Sequence, residues 1–396
     1  MNNNFVLWWL LPIILLPVFF AMGWFAARID MRTVLKHAKS IPEGFYRSLD
    51  ALVEQKTGLA AQSLNDVIEQ RQIQKTDVGA YELALSLGKL YRRRGENDKA
   101  VALHQKLLSS PDLIGERRHR LQFELGQDFQ SAGLVDRAEQ QFEQLTETDM
   151  AKEANEVLLL IYQQDRDWLK AISVARKLAR GEMNYQFEIA QFYCELAQSS
   201  LFRSDYEQAQ NFVKEALNAN RKCTRANMIA GDIALKQNNF QAAVEAYVAI
   251  EQQNPEYLSM ISDRLYQAYE AQNKAEEGLN VLLGYIKTFP QLDLYDIIYE
   301  KSLSLYGEQK AAELVADLVR SRPDLKGVYR LMGVKMSELN PLWKNDADMM
   351  RHVVGRYVQK AMMYRCRHCH FKSQVYFWHC PACNRWETFT PNKIEV

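Results

Sequence analysis

Leu87-Gly88-Lys89-Leu90-Tyr91-Arg92-Arg93-Arg94-Gly95-Glu96-Asn97-Asp98-Lys99-Ala100 is answered, 38 residues on, by Leu125-Gly126-Gln127-Asp128-Phe129-Gln130-Ser131-Ala132-Gly133-Leu134-Val135-Asp136-Arg137-Ala138. Both stretches carry Leu-Gly, an aromatic, Gly and Ala at the same offsets. Ala230-Gly231 with Phe240, Ala243, Tyr247 and Pro255 makes a further copy. Aligning on the small residue that opens each second helix gives Ala60, Ala100, Ala138, Ala171, Ala209, Ala243, Gly278 and Ala311. The intervals are 40, 38, 33, 38, 34, 35 and 33 residues, a period of about 34 with short insertions. Apolar residues recur three and four apart over residues 41–325, and prolines are few, so the body is expected to be all-α. Small residues let paired helices approach, and bulky ones fill the space between pairs. No pair buries its apolar face alone, so the stack is the folding unit.

The order Leu-Gly, aromatic, Ala, aromatic, Pro resembles the tetratricopeptide repeat, with Pro255, Pro290 and Pro323 each twelve residues after their Ala or Gly. The first and fifth units lack the Leu-Gly pair. Residues 328–339 read as the first helix of an incomplete ninth unit, and 346–363 as a closing helix after the Asn340-Pro341 break. Tetratricopeptide arrays bind partners in a groove lined by positions 2, 5, 9 and 12 of each first helix. Carried onto this chain, those positions give Lys89, Arg92, Arg120, Asp263, Glu270, Asp293, Asp296 and Glu300 as candidate partner-binding residues. The groove would then be basic towards its N-terminal end and acidic towards the other. The same charges also fit plain solvated helix faces, and Arg92-Arg93-Arg94 with Arg117-Arg118 also fits attraction to anionic lipid.

The chain has 396 residues, a length that would otherwise suggest two or three ordinary domains. It carries 49 basic and 49 acidic residues, a balance that argues against a nucleic-acid partner. A 47% hydrophobic fraction with 25% charged residues excludes global disorder, a collagen-like chain and a multi-span transporter.

The six cysteines are unevenly spread. Cys194 and Cys223 stand apart and read as core thiols, whereas Cys366, Cys369, Cys380 and Cys383 fall within eighteen residues. Two C-x-x-C knuckles can set four thiolates tetrahedrally around one metal ion, zinc or iron. Metal ligation would supply much of the folding free energy of so short a segment. His370 and Asn384 follow the knuckles, where positive φ is expected. Residues 375–378, Val-Tyr-Phe-Trp, favour strand. Phe377, Trp378 and Trp386 are expected to cover the site or dock on the last helices. His368, His370 and His379 are nearby, but four thiolates already complete the shell. No phosphate loop, carboxylate dyad or nucleophile elbow is present, so no enzymatic activity is expected.

At the other end, residues 5–27 form a 23-residue run without charge, twenty of them apolar. As a helix this is about 35 Å long, enough to span a bilayer. Trp8, Trp9 and Trp24 lie towards its ends. No Lys or Arg precedes it, unlike a cleaved signal peptide. Arg28, Arg32, Lys36 and Lys39 follow it, which places the main body in the cytoplasm by the positive-inside rule.

Anchor, repeats and knuckles in this order resemble the lipopolysaccharide assembly protein B family of Gram-negative inner-membrane proteins. The closest local matches are Tyr364-Arg365-Cys366-x-x-Cys369-x-Phe371 and Trp378-His379-Cys380-Pro381-x-Cys383-x-x-Trp386, with 90–100 and Phe192-Tyr193-Cys194-Glu195-Leu196-Ala197 in the array. The resemblance implies an all-α tetratricopeptide-repeat solenoid with an N-terminal transmembrane helix and a small C-terminal rubredoxin-like metal-binding module. Its parts would be an anchor at 1–28, a basic juxtamembrane linker at 29–40, the array with closing helices at 41–363 and the metal module at 364–396. It further implies a single-pass inner-membrane adaptor promoting proteolysis of the lipid A pathway deacetylase by the membrane-bound AAA protease FtsH, opposed by a second inner-membrane protein. The metal module would brace the groove. Two other readings stay open: a membrane-tethered scaffold of another envelope complex, and an iron-dependent electron-transfer protein.

Overall fold

A computed structural model describes residues 20–24, 43–70, 78–111, 113–179, 184–321, 323, 325–336, 340–391 and 394–395. Of the apolar run at 5–27, only 20–24 fall within it, as a helical stretch with exposed side chains. The proposed linker at 29–40 lies outside the described residues. Among the described residues, no helix is long and apolar enough to cross a membrane.

The chain divides into two compact units, Met1–Ile161 and Tyr162–Val396. The first holds helix pairs α1 (Glu43–Val53) with α2 (Thr57–Gln70), α3 (Val78–Arg93) with α4 (Asn97–Leu108), and α5 (Glu116–Ser131) with α6 (Val135–Glu143). Helix α7 (Ala151–Gln164) contains the division. The second unit continues with α8 (Trp168–Leu178), α9 (Gln186–Phe202), α10 (Tyr206–Ala219), α11 (Thr224–Lys236) and α12 (Phe240–Gln253). A 3₁₀ turn at Pro255–Tyr257 leads into α13 (Leu258–Glu270), then α14 (Ala275–Thr288), α15 (Tyr295–Tyr306), α16 (Glu308–Ser321), α17 (Leu325–Lys335) and α18 (Pro341–Ala361).

The sequence period is a geometric one. Ala60, Ala100, Ala138, Ala171, Ala209, Ala243, Gly278 and Ala311 are each the fourth residue of a second helix, and all are buried. At that point the second helix crosses close to its partner, and a larger side chain would force them apart. The Leu-Gly glycine provides the matching gap. A Cβ on Gly126 would lie 2.7 Å from the Phe142 ring, and one on Gly88 would strike His104. The second, third and sixth units carry that glycine; at the equivalent position the first and fifth place the small residues Ser48 and Ala197, and the fourth and seventh the larger Leu159 and Tyr266, all buried.

The turn inside each of the first seven pairs is also repeated. Gln55, Gly95, Gly133, Arg166, Ser204, Asn238 and Asn273 hold positive φ, each two residues before a second helix. The tight reversal needs that backbone conformation, which costs Gly nothing and Asn little. Asp167, Asp205 and Asn239 then cap their helices by accepting the N–H of Lys170, Gln208 and Ala242.

After α18 the chain forms a small three-stranded antiparallel sheet in the order β2-β1-β3, from β1 (Met362–Arg365), β2 (Lys372–Ser373) and β3 (Ile394–Glu395). Tyr364 pairs with Ser373 and Met363 with Ile394. The strand expected at 375–378 does not form. Its side chains are committed elsewhere: Tyr376 and Trp378 face helices of the array, and Phe377 packs on Phe389.

Candidate metal centre

The two knuckles fold alike. Cys366 N–H donates to the Phe371 carbonyl and Cys380 N–H to that of Arg385. The His370 and Asn384 N–H groups donate back to the Cys366 and Cys380 carbonyls. Each loop closes through positive φ at His370 (62°) and Asn384 (54°), as the spacing predicts.

This brings four sulfurs within 4.8 Å of one another. Cys366 and Cys383 are 3.8 Å apart, and Cys369 and Cys380 are 3.6 Å apart. A tetrahedron with metal–sulfur bonds of about 2.3 Å has edges of about 3.8 Å, so the residues present fit one tetrathiolate-bound ion. Burial by itself would raise the Cys366 thiol. The N–H groups of Cys369 and His368 and the Thr388 hydroxyl outweigh it and bring the pKa down to about 6. Burial pushes Cys380 up to about 12, so charge on that sulfur relies on the metal. Cys366 and Cys380 are fully buried, Cys383 is intermediate and Cys369 is exposed.

Of the two expected places for the aromatic residues, Phe377 packs on Phe389 beside the site, while Trp378 and Trp386 dock on earlier helices of the array. The module lies against Gln163 at the end of α7, Trp168 of α8, α9, α11 and the 3₁₀ turn, contacts that all fall within the second unit. Trp378 stacks on Tyr257 with centroids 5.2 Å apart, and the Tyr257 and Tyr376 hydroxyls are hydrogen-bonded. Trp386 packs edge-on against Trp168 and Phe192, and its indole N–H donates to Gln163. Arg367 pairs with Glu256 at 2.5 Å. Arg225, only 5% exposed, holds its guanidinium over the Trp378 and Trp386 rings and donates to Glu195. Gln191 donates to Glu387 at 2.6 Å. Burial raises the Glu387 carboxyl pKa against the opposing pull of Gln191 and Arg225. The physical reason for this address is surface chemistry: α9 is buried on several faces, with Ile189, Ala190, Gln191, Phe192, Tyr193 and Cys194 all inaccessible. A helix of a two-layer stack has a face left open, and this one is covered by the module. That consecutive buried run was the sequence signal for a third covering body. Gln163, Trp168, Gln191, Arg225, Tyr257 and Glu387 carried no signal of their own.

Cys194 and Cys223 are core thiols, but they are not separate: their sulfurs lie 3.7 Å apart, both buried.

The candidate groove charges are on first helices, except Asp293, which lies just before α15, and most pair with the neighbouring repeat. In the first unit Arg92 reaches Asp128 at 2.5 Å and Glu124 at 2.7 Å, and Lys89 reaches the other Glu124 oxygen at 2.7 Å. Burial works against the Glu124 carboxylate, but Lys89 and Arg92 hold its pKa below the ordinary value. Asp128 is fully buried and also bonds His104. Arg120 pairs with Glu82 at the surface. In the second unit Asp263 pairs with Lys301, Asp293 with Lys326, and Asp296 and Glu300 with Arg330. Glu270 lies beside Tyr266, whose phenol is raised by burial first and by that charge second.

Comparison with known proteins agrees with both parts of the chain. Residues 364–391 match the family described as a rubredoxin metal binding domain, the zinc ribbon of LapB, and 194–257 match the tetratricopeptide repeat. Lipopolysaccharide assembly protein B of Escherichia coli (strain K12) is 31% identical over 96% of this chain and 97% of its own length. The Haemophilus influenzae protein of that name is 28% identical over the same shares. A tetratricopeptide repeat protein from Parabacteroides merdae is 15% identical, covering 74% of this chain and 98% of its own, with a TM-score of 0.29.

Proposed function

This chain belongs to the lipopolysaccharide assembly protein B family, and on that premise we propose that it is a non-enzymatic adaptor of the inner membrane. In this reading it regulates lipopolysaccharide synthesis by promoting proteolysis of the lipid A pathway deacetylase by the AAA protease FtsH, and a second inner-membrane protein opposes it. The observation that carries the adaptor reading is the docking of one small module across Gln163 at the end of α7, α9, α11 and the 3₁₀ turn. A stack of helix pairs flexes because each pair touches only its neighbours. A rigid clip over several consecutive first helices fixes their spacing, which suits a surface that must hold a folded partner in one orientation. The bound metal supplies the module's rigidity, and Cys366, Cys369, Cys380 and Cys383 hold it.

Residues 5–27 serve as the single-pass anchor in this proposal and keep the main body on the cytoplasmic face. Partner contacts fall on Lys89, Arg92, Arg120, Asp263, Glu270, Asp293, Asp296 and Glu300. An incoming chain must compete there with internal ion pairs, so the exposed members Arg120, Asp263, Asp296 and Glu300 contribute most.

The test is the half-life of the deacetylase in cells with and without this protein. Depletion should lengthen it several-fold, and an unchanged half-life would overturn the proposal.

A further inference from the structure

The second unit contains sulfur pairs of nearly equal spacing in opposite surroundings. Cys194 and Cys223 are 3.7 Å apart and sealed in the helical core. Cys369 and Cys380 are 3.6 Å apart, and Cys369 is the exposed member of the metal site. Cys366 and Cys380 are fully buried. Proximity is therefore common to both pairs, and access separates them.

We propose that Cys369 is an oxidant-sensing site, at which a hydroperoxide converts the Cys369–Cys380 pair to a disulfide, releases the metal and frees the module from the array. Cys369 is the exposed sulfur of the four, so it is the one a hydroperoxide reaches first. The Cys369 sulfur attacks one peroxide oxygen, the O–O bond breaks, and hydroxide leaves and is protonated to water. The product is a Cys369 sulfenic acid. The Cys380 thiolate then attacks the Cys369 sulfur, the S–S bond forms, and a second hydroxide leaves as water. Two thiolates, one hydroperoxide and two protons give one disulfide and two molecules of water (one of an alcohol if the peroxide is organic). The two electrons come from the sulfurs.

The consequence follows from the fold. A disulfide between the knuckles leaves the site with only Cys366 and Cys383, and two thiolates do not retain a structural ion. The module has little core beyond Cys366, Cys380 and Phe389, so it loses its shape with the metal. Trp378, Trp386 and Arg367 then lose their positions on Tyr257, Phe192 and Glu256. Oxidation at one exposed sulfur thereby reaches the spacing of the repeat helices.

The experiment titrates the full-length, zinc-loaded protein in detergent with hydrogen peroxide. Released zinc is followed with a chromogenic chelator, disulfides by peptide mapping, and docking by limited proteolysis within 364–391. The expected result is one zinc released per Cys369–Cys380 disulfide formed, with proteolysis rising in step and dithiothreitol plus zinc reversing it. The double variant Cys194→Ser with Cys223→Ser should release zinc at the same rate. First oxidation at Cys194–Cys223 or at Cys366–Cys383 would overturn the proposal. So would retention of zinc after Cys369 is oxidised, or a module that stays protease-resistant after zinc is lost.

Discussion

The two units tie their first helices together by different means. In the first, α3 and α5 are joined by charge: Lys89 and Arg92 meet Glu124 and Asp128 across one repeat. In the second, Gln163 at the end of α7, α9, α11 and the 3₁₀ turn are joined by a body from the far end of the chain, through Trp378, Trp386, Gln191 and Arg225. The first device is local and cooperative with the repeat that contains it. The second depends on a separate folding event, the closure of two knuckles on a metal. A stack can therefore be stiffened from within, by residues about one period apart, or from outside, by a clip that can in principle be removed while the helices remain.

Removing the clip's metal is the sharpest way to break that comparison. Chelation, or Cys366→Ser, should unfold the module, with a loss on the order of 10 kcal/mol of binding-coupled folding free energy. Limited proteolysis should then cut within 364–391 while the far-ultraviolet helical signal stays nearly intact. Loss of the helical signal across both units would show that the clip is required for the repeats themselves.

In the first unit the corresponding break is Arg92→Ala, which leaves the buried Asp128 and Glu124 carboxylates short of their cation. A cost of about 3–5 kcal/mol is expected from uncompensated buried charge. Urea denaturation should place that loss in the first unit and leave protease resistance of 364–391 unchanged.

Trp378→Ala sharpens the comparison by loosening the clip without touching the metal. It removes the Tyr257 stack and half of the aromatic cradle around Arg225. A loss of about 2–3 kcal/mol in docking is expected, toward the low end for a large aromatic because Trp378 is only partly buried. Metal content by elemental analysis should not change.

The smallest effect is a pH dependence. Burial holds the Glu387 carboxyl pKa above its ordinary value of 4.5, so the docked state favours the protonated form. Its contribution to docking is full below about pH 4.5 and is lost as pH rises through the raised value. Glu387→Gln should therefore flatten the pH dependence of thermal unfolding above pH 4.5, by under about 1 kcal/mol. A variant with the wild-type slope would remove Glu387 from the account.

The helix pairs, the small residues at their crossings and the four metal ligands were all legible in the sequence. Each is a local constraint repeated at fixed spacing: Ala138 and Ala243 recur because two helices cross there, and Cys366 and Cys369 recur as Cys380 and Cys383 because the turn between ligands has one length. Tertiary structure alone decided where the module sits, that Cys194 and Cys223 meet, and that the candidate groove charges are mostly internally paired. Those contacts join residues from about 30 to more than 200 positions apart. No periodicity encodes them, because they depend on which face of which helix the stack leaves open for a distant segment to fill.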